Sequence, residues 1–342
     1  MNLEKERQLD ERLWRRKLEL PDCANEFLRS IELDKEIQTQ IEYAKDIHLF
    51  LEFLCQEVYK DQKGTTEITL SDLEKVSEYD VLNFLDYLSC YEKEFTTVGG
   101  NKTVQEFRNG PQGKERKRAS LKMFYDYFII RGKLKTNPMQ NIDIKVKKSE
   151  IKPRLSYNDV ELMLDAALNT NPDEFRGLRN YVILKVLAYT GIRISELTDI
   201  SMNNIWKDRN EMVITRKGGY EEVLYINKNI RDDLYGYLKM REKIENIQKG
   251  HENALFISQR MRRMDPRSIR KMIQILAEKV GIGIKVTPHT FRRTFGWKHY
   301  NDNKDLELTA KVLGHESAET TRRSYASADE SRTRDSLDSF GY

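Results

Sequence analysis

The stretch from Asn137-Pro138 to Pro153 divides this chain more firmly than any other feature. Between the two prolines runs a lysine-rich, apolar-poor segment containing Lys145-Val146-Lys147-Lys148. Such a segment has little to bury, and each proline holds the residue before it extended. The sequence on either side must therefore build its own core, and a chain of 342 residues is long enough for two. The boundary falls near residue 150. The expected organisation is a charged helix or tail over 1–20, a helical domain over 21–138, a linker over 139–153 and a second domain over 154–342.

Upstream of the linker the period is helical. Ile37, Ile41, Ala44, Ile47, Leu51 and Leu54 recur at spacings of three and four, and so do Leu121, Phe124, Tyr125, Phe128 and Ile129. Ser77, with Asp80 three residues on, predicts the start of a helix whose stripe is Val81, Phe84, Leu85 and Leu88. Residues 91–115 hold Gly99-Gly100, Gly110-Pro111 and Gly113, and read as a long irregular excursion. The first 20 residues, with Leu3, Leu9, Leu13 and Trp14 among many charges, suit a helix that packs on the domain, meets a neighbouring protomer or frays.

Downstream, Ser156 predicts a helix cap before the stripe Val160, Met163, Leu164, Ala167 and Leu168. A second helix, from about Arg179 to Ala188, is nearly all apolar and should be buried. Gly191 can adopt the left-handed turn that ends it. Arg193 and Glu196 follow, spaced to pair along a new helix or to form an ordinary surface ion pair. The period then changes: 212–215 and 222–226 are strand-like and joined through Gly218-Gly219, which predicts a hairpin with Lys217 at its tip. Helices are expected from Lys228 to about Glu245 and from a cap at Ser268 to Gly281.

Composition excludes several classes. The chain is 39% hydrophobic and 33% charged, a globular profile. No apolar run reaches the roughly 18 residues of a membrane span. The charged N-terminus lacks the apolar core of a signal peptide, so a cytoplasmic protein is expected. Cys23, Cys55 and Cys90 form no CxxC pair and no disulfide framework. Cys55 and Cys90 lie on apolar helical patterns and are expected to be buried thiols.

The net charge of +4 says little, but its distribution says more. Lys114, Arg116, Lys117 and Arg118 form one basic cluster, Lys147 and Lys148 belong to another, and Arg260, Arg262 and Arg263 form a third. Basic surface gathered in segments is the footprint of a polyanion partner, and DNA is the expected one.

The last third carries the chemistry. His289-Thr290-Phe291-Arg292, then Leu313-Gly314-His315, then Thr320-Thr321-Arg322-Arg323-Ser324-Tyr325 place two of the chain's five histidines, an arginine and a phenol in one short region. Guanidinium and imidazole groups hydrogen-bond anionic oxygens, and a phenol can attack phosphorus. Together with Thr190-Gly191-Ile192-Arg193-Ile194-Ser195-Glu196-Leu197 and Lys217, these segments resemble the tyrosine recombinases, or phage integrase family. The resemblance covers about residues 35–330.

It implies a mainly α, two-domain DNA clamp, with a helical-bundle N-terminal domain and a mixed α/β catalytic domain carrying a small antiparallel sheet. It implies Tyr325 as nucleophile, Arg193 and Arg292 as clamps on the non-bridging phosphate oxygens, His289 and His315 as hydrogen-bonding or proton-shuttling groups, Lys217 as general acid and Glu196 as support for the arginine. No metal and no cofactor are expected, because the cationic side chains supply the electrostatic stabilisation. The implied partner is double-stranded DNA with inverted-repeat core sites, held by a homotetramer on paired sites with a dimer on each. An accessory directionality factor is a further possible partner, and no membrane is involved. The segment before residue 35 is too short for an extra arm-binding domain, so binding to the core repeats alone is expected.

Two features depart from the family pattern. Arg293 stands where many members carry histidine. Tyr325 follows His315 by ten residues, one more than in many members and similar to integrases of some conjugative transposons. The activity implied is strand exchange through a 3′-phosphotyrosyl link and a Holliday junction, integrating or excising a mobile element. The alternatives are Xer-like dimer resolution and DNA relaxation of the type IB topoisomerase kind.

Overall fold

The computed structural model describes residues 3–96, 100–146, 153–169, 171, 173–216, 218–315 and 317–325, with backbone alone at 3–5, 320 and 323–325. The chain divides into two compact units, Asn2–Glu150 and Ile151–Tyr342.

The first unit is helical. It contains α1 (Leu3–Lys17), α2 (Asp22–Ser30), α3 (Ile37–Phe53, running into a π-turn at Leu54–Val58), α4 (Leu70–Glu74), α5 (Glu78–Tyr87) and α6 (Pro111–Ile130). The stripes converge on an aromatic core in which Phe27, Phe50, Phe84, Phe124 and Phe128 are fully buried. Each such ring stabilises the unit by about 1.5–3 kcal/mol. Phe27 and Phe124 meet edge to face at 5.5 Å, as do Phe50 and Phe84 at 5.0 Å. The N-terminal helix joins this core through Leu13, with Leu9 packed beside it, while Trp14 stays exposed. Ser77 caps α5 through the Asp80 amide, and the Asp80 carboxylate returns the bond.

Residues 91–115 are not irregular. Tyr91–Thr96 (β1) and Lys102–Phe107 (β2) pair antiparallel, with Tyr91 opposite Phe107, and α6 already begins at Pro111. The ribbon is mostly exposed along both strands, so it lacks the apolar alternation by which a half-buried strand is recognised. Cys90, at its base, is exposed, whereas Cys23 and Cys55 are buried. A helical pattern had suggested burial for Cys90, but the helix ends before it.

The second unit contains α7 (Tyr157–Asn169), α8 (Glu174–Thr190), α9 (Ile194–Asp199), strands β3 (Ile205–Trp206), β4 (Glu211–Thr215) and β5 (Glu221–Tyr225), then α10 (Lys228–Arg241), α11 (Pro266–Lys279), α12 (Pro288–Asn303), α13 (Leu306–Leu313) and α14 (Ala318–Tyr325). The apolar helix is buried as its composition requires, and it starts earlier than its stripe suggests, capped by Asp173 at the Arg176 amide. The strands form an antiparallel sheet in the order β3-β4-β5, with Met212 opposite Leu224 and Thr215 opposite Glu221. The cap of α11 is Asp265, not Ser268; the Asp265 carboxylate accepts from the Ser268 amide and hydroxyl. Helix α10 ends at Arg241 rather than near Glu245. Among the described residues no helix is long and apolar enough to cross a membrane.

Candidate active site

The site is built on the end of α13. A helix leaves its last carbonyls without intrahelical donors, and its C-terminus attracts cations. Gly314 turns left-handed at φ 62°, so that the Gly314 amide reaches Lys311 O and the His315 amide reaches Ala310 O, each at 2.9 Å. The remaining carbonyls are taken by three arginines from three elements. Arg193 Nη2 donates to Gly314 O at 3.0 Å. Arg292 Nη2 donates to Leu313 O at 2.5 Å. Arg216 donates to Leu313 O and Val312 O, both at 3.3 Å.

Each arginine is placed by local chemistry. Arg193 is the cap residue of α9, and its amide donates to Glu196 Oε2 at 2.8 Å. The same carboxylate accepts from Arg193 Nη1 at 2.8 Å. This is no surface ion pair, because Glu196 is 3% exposed. Arg292 lies on the first turns of α12, which Thr287 caps at the Thr290 amide. Its Nη1 donates to Gly191 O at 2.7 Å. Gly191 is left-handed at φ 61°, and a Cβ there would lie 2.5 Å from Phe295 Cδ1 and 2.9 Å from Leu313 Cδ2. The glycine is needed both for the turn and for the close approach.

His315 sits beside these guanidinium groups, and its Nδ1 is 2.8 Å from Thr321 Oγ1. Burial pushes its pKa down to about 4, helped by Arg292, Arg193, His289 and Arg216. The imidazole is therefore neutral near pH 7. Thr321 is fully buried, and among the described residues its hydroxyl bonds His315. Were Thr321 to accept, its own proton would be buried without an acceptor among the described residues. We assign the hydroxyl as donor to Nδ1, which leaves the ring proton on Nε2. His289 lies on the first turn of α12 and is exposed.

The structure thus brings together Arg193, Glu196, Arg292 and His315, with His289 near enough to act on the His315 charge. Tyr325 is the last residue of α14, and its side chain lies outside the described residues, as do Lys147, Lys148 and Lys217. Two residues that sequence reasoning passed over belong to the assembly. Thr321 was visible only as part of the Thr-Thr pair before Tyr325. Arg216 had no local signal, because its partners on α9 and α13 are far away in sequence.

Several of the basic residues read as DNA contacts hold the protein itself together. Arg116 forks onto the buried carboxylate of Asp46 at 2.6 and 2.7 Å. Lys117 is buried and donates to Asn109 Oδ1 at 3.0 Å. Arg118 forks onto Glu115 at 2.8 and 2.7 Å and reaches Met139 O. Lys114 donates to Ser89 Oγ at 2.8 Å. Arg263 donates to Thr198 O, Ile200 O and Ser201 Oγ at 2.7–2.8 Å, closing the end of α9. Arg260 and Arg262 are exposed. A run of basic residues does not reveal which side chains turn inward to acceptors: in the first cluster Lys117 and Arg118 do, whereas Arg116 stays 48% exposed and Lys114 bonds an exposed hydroxyl.

A family model described as the phage integrase family matches residues 153–332. The tyrosine recombinase XerC of Caldanaerobacter subterraneus subsp. tengcongensis is 28% identical over 333 residues, covering 94% of this chain and 87% of that protein. The tyrosine recombinase XerD of Oceanobacillus iheyensis is 26% identical over 315 residues, covering 92% and 95%. Among solved structures, the Tn1549 transposon integrase in complex with transposon right end DNA matches with a TM-score of 0.66 and 17% identity, covering 93% of this chain and 99% of that one. At that identity the likeness is one of fold.

Proposed function

Because the chain belongs to the phage integrase family, we propose that it cleaves and rejoins double-stranded DNA at specific sites through a covalent link between Tyr325 and the 3′-phosphate. The observation that carries this reading is the convergence of Arg193, Arg292 and His315 on the end of α13, directly before the helix that closes with Tyr325.

The steps follow from the chemistry of these groups. The Tyr325 oxygen attacks the scissile phosphorus, and the bond from phosphorus to the 5′-oxygen breaks. Negative charge gathers on the non-bridging oxygens, where Arg193 and Arg292 hold it with permanently charged forks. His315, neutral with its proton on Nε2, adds a hydrogen bond. The phenol has a pKa of about 10 in water, so its proton must be accepted as it attacks; this falls to His289, because His315 presents a donor. The leaving 5′-oxygen takes a proton from Lys217 as general acid. The new ester conserves the energy of the broken one, so the 5′-hydroxyl of another strand reverses the reaction without an external energy source.

Repeating the exchange on a second strand pair passes through a Holliday junction, in a homotetramer with a dimer on each inverted-repeat site. Integration and excision of a mobile element is the programme we favour, on the long spacing from His315 to Tyr325. The names of the sequence relatives favour a second programme, dimer resolution of the Xer kind.

Nicked duplexes spanning inverted repeats that flank the gene test the reading. Wild-type protein should leave a covalent protein–DNA adduct, and Tyr325→Phe should leave none. An adduct from Tyr325→Phe would assign another nucleophile. Adducts on arbitrary DNA without strand exchange would indicate relaxation of the topoisomerase kind.

A further inference from the structure

We propose that Arg216 is a positioning residue, which holds Arg193 and the turn bearing His315 in the geometry that receives the scissile phosphate. It acts through Glu196 and the last carbonyls of α13. The inference rests on the reading of Arg193 as a phosphate clamp.

Arg216 cannot itself touch a substrate, because its side chain is 1% exposed. Its five N–H groups all have acceptors. Nε and Nη2 fork onto Glu222 at 2.7 and 3.1 Å. Nη1 donates to Glu196 Oε2 at 3.1 Å and to Leu313 O at 3.3 Å, and Nη2 also donates to Val312 O at 3.3 Å. One planar group therefore ties four elements together: β4, directly after which it stands, β5 through Glu222, the first turn of α9 and the last turn of α13. Burial works against its charge, but Glu222 and Glu196 outweigh that and hold its pKa above the usual value.

The elements that Arg216 joins are the ones that present the site. Glu196 gives Oε1 to Arg193 and Oε2 to both the Arg193 amide and Arg216, so one carboxylate is shared between a buried guanidinium and a partly exposed one. With Arg216 present, Glu196 is held from two sides and cannot follow Arg193 outward. At α13, Arg216 and Arg292 donate to the same Leu313 carbonyl, two residues before His315. Gly314 makes room for the plane: a Cβ there would lie 2.6 Å from Arg216 Cζ. A lysine would keep the charge but not the fork, since its three donors radiate from one atom.

The test compares two DNA substrates for covalent cleavage by the full chain at saturating DNA. One carries the ordinary scissile phosphodiester. In the other a methylphosphonate replaces one non-bridging oxygen with a methyl group and removes the negative charge. Arg216→Lys and Arg216→Met should lower the cleavage rate on the phosphodiester by about 10–100-fold with DNA affinity unchanged. On the methylphosphonate their deficit should shrink to about threefold or less, in parallel with Arg193→Lys, because no anion remains to be clamped. Should Arg216→Met fail to fold, Arg216→Lys, which keeps a cation beside Glu196 and Glu222, carries the comparison. An equal deficit on both substrates, or a loss confined to DNA affinity or thermal stability, makes Arg216 a purely structural residue and overturns the proposal. If Arg193→Lys itself shows the same deficit on both substrates, the clamp reading falls, and this inference falls with it.

Discussion

Nδ1 of His315 lies 2.8 Å from the buried hydroxyl of Thr321, across the turn that joins α13 to α14. This bond links the helix end that gathers three arginines to the helix that closes with Tyr325. With the Thr321 hydroxyl assigned as donor, the ring proton is on Nε2.

Thr321→Val keeps the shape of the side chain and removes the donor. Cleavage of a suicide substrate should slow by about 10–100-fold, while Thr321→Ser should stay within a few-fold of wild type. Imidazole ¹⁵N shifts provide an independent reading: His315 should be the Nε2–H tautomer in wild type and Thr321→Ser, and a mixture in Thr321→Val. An unchanged rate and tautomer in the valine variant would refute the assignment.

The pKa of His315 gives a pH prediction with a definite sign. In the fold it lies at about 4, below the usual histidine value of about 6.5 for the unfolded chain. Between these values the unfolded chain binds the extra proton and the fold does not. His315 therefore contributes stability above pH 6.5 that is lost as pH falls from about 6.5 to about 4. Burial is the largest cause of the shift, and the nearby charged and titratable groups Arg292, Arg193, His289 and Arg216 add to it. The difference in urea midpoint between wild type and His315→Gln should slope across that window and flatten above it. Partial exposure of the ring keeps the slope modest, and a flat difference throughout would show that the ring titrates normally.

Much of the site was legible because its signals are local. Gly191 ends a helix, Glu196 stands at the third position of the next one, and His315 follows a glycine that closes a third; each is set by neighbours a few residues away. Arg216 was not legible, because its role consists of contacts with α9 and with α13, near the other end of the unit's sequence. The β1–β2 ribbon is illegible for a different reason: it is half-buried only near its base, at Tyr91, Lys93 and Phe107, and the exposed remainder has no buried side to impose a two-residue period. The cap of α11 is ambiguous in sequence because Asp265 and Ser268 are both good caps three residues apart, and only the fold shows Ser268 donating both its amide and its hydroxyl to Asp265.

The basic residues should separate into two groups on mutation. Arg260→Ala and Arg262→Ala, both at exposed positions, should leave thermal stability unchanged and each reduce the salt slope of DNA binding by about 1. Arg116→Ala strips the fork from buried Asp46 and should cost about 1.5–3 kcal/mol of stability. Arg263→Ala frees the end of α9 and should also lower stability. Salt titrations of DNA binding, paired with denaturant unfolding of each variant, decide the grouping. A salt-slope change from Arg263→Ala without loss of stability would reverse its assignment.

Gly191 is the position where a single methyl group should do most harm to the site. Its left-handed backbone makes any side chain cost about 1–2 kcal/mol. The added Cβ would also overlap Phe295 and Leu313, and such overpacking costs about 1–3 kcal/mol more. Gly281 provides the control in the same unit: its φ is 73°, yet a Cβ there meets nothing within 4 Å. Gly281→Ala should therefore show the backbone strain alone and leave cleavage unchanged. In Gly191→Ala the methyl group pushes against the residues that seat α12 and α13, displacing the carbonyl that receives Arg292 and the start of the turn that leads to Arg193. Its cleavage rate at saturating DNA, measured at a temperature where the variant is still folded, should fall well below that of Gly281→Ala. Equal rates for the two alanine variants would mean that the site tolerates displacement at Gly191, and that the close contact there serves packing only.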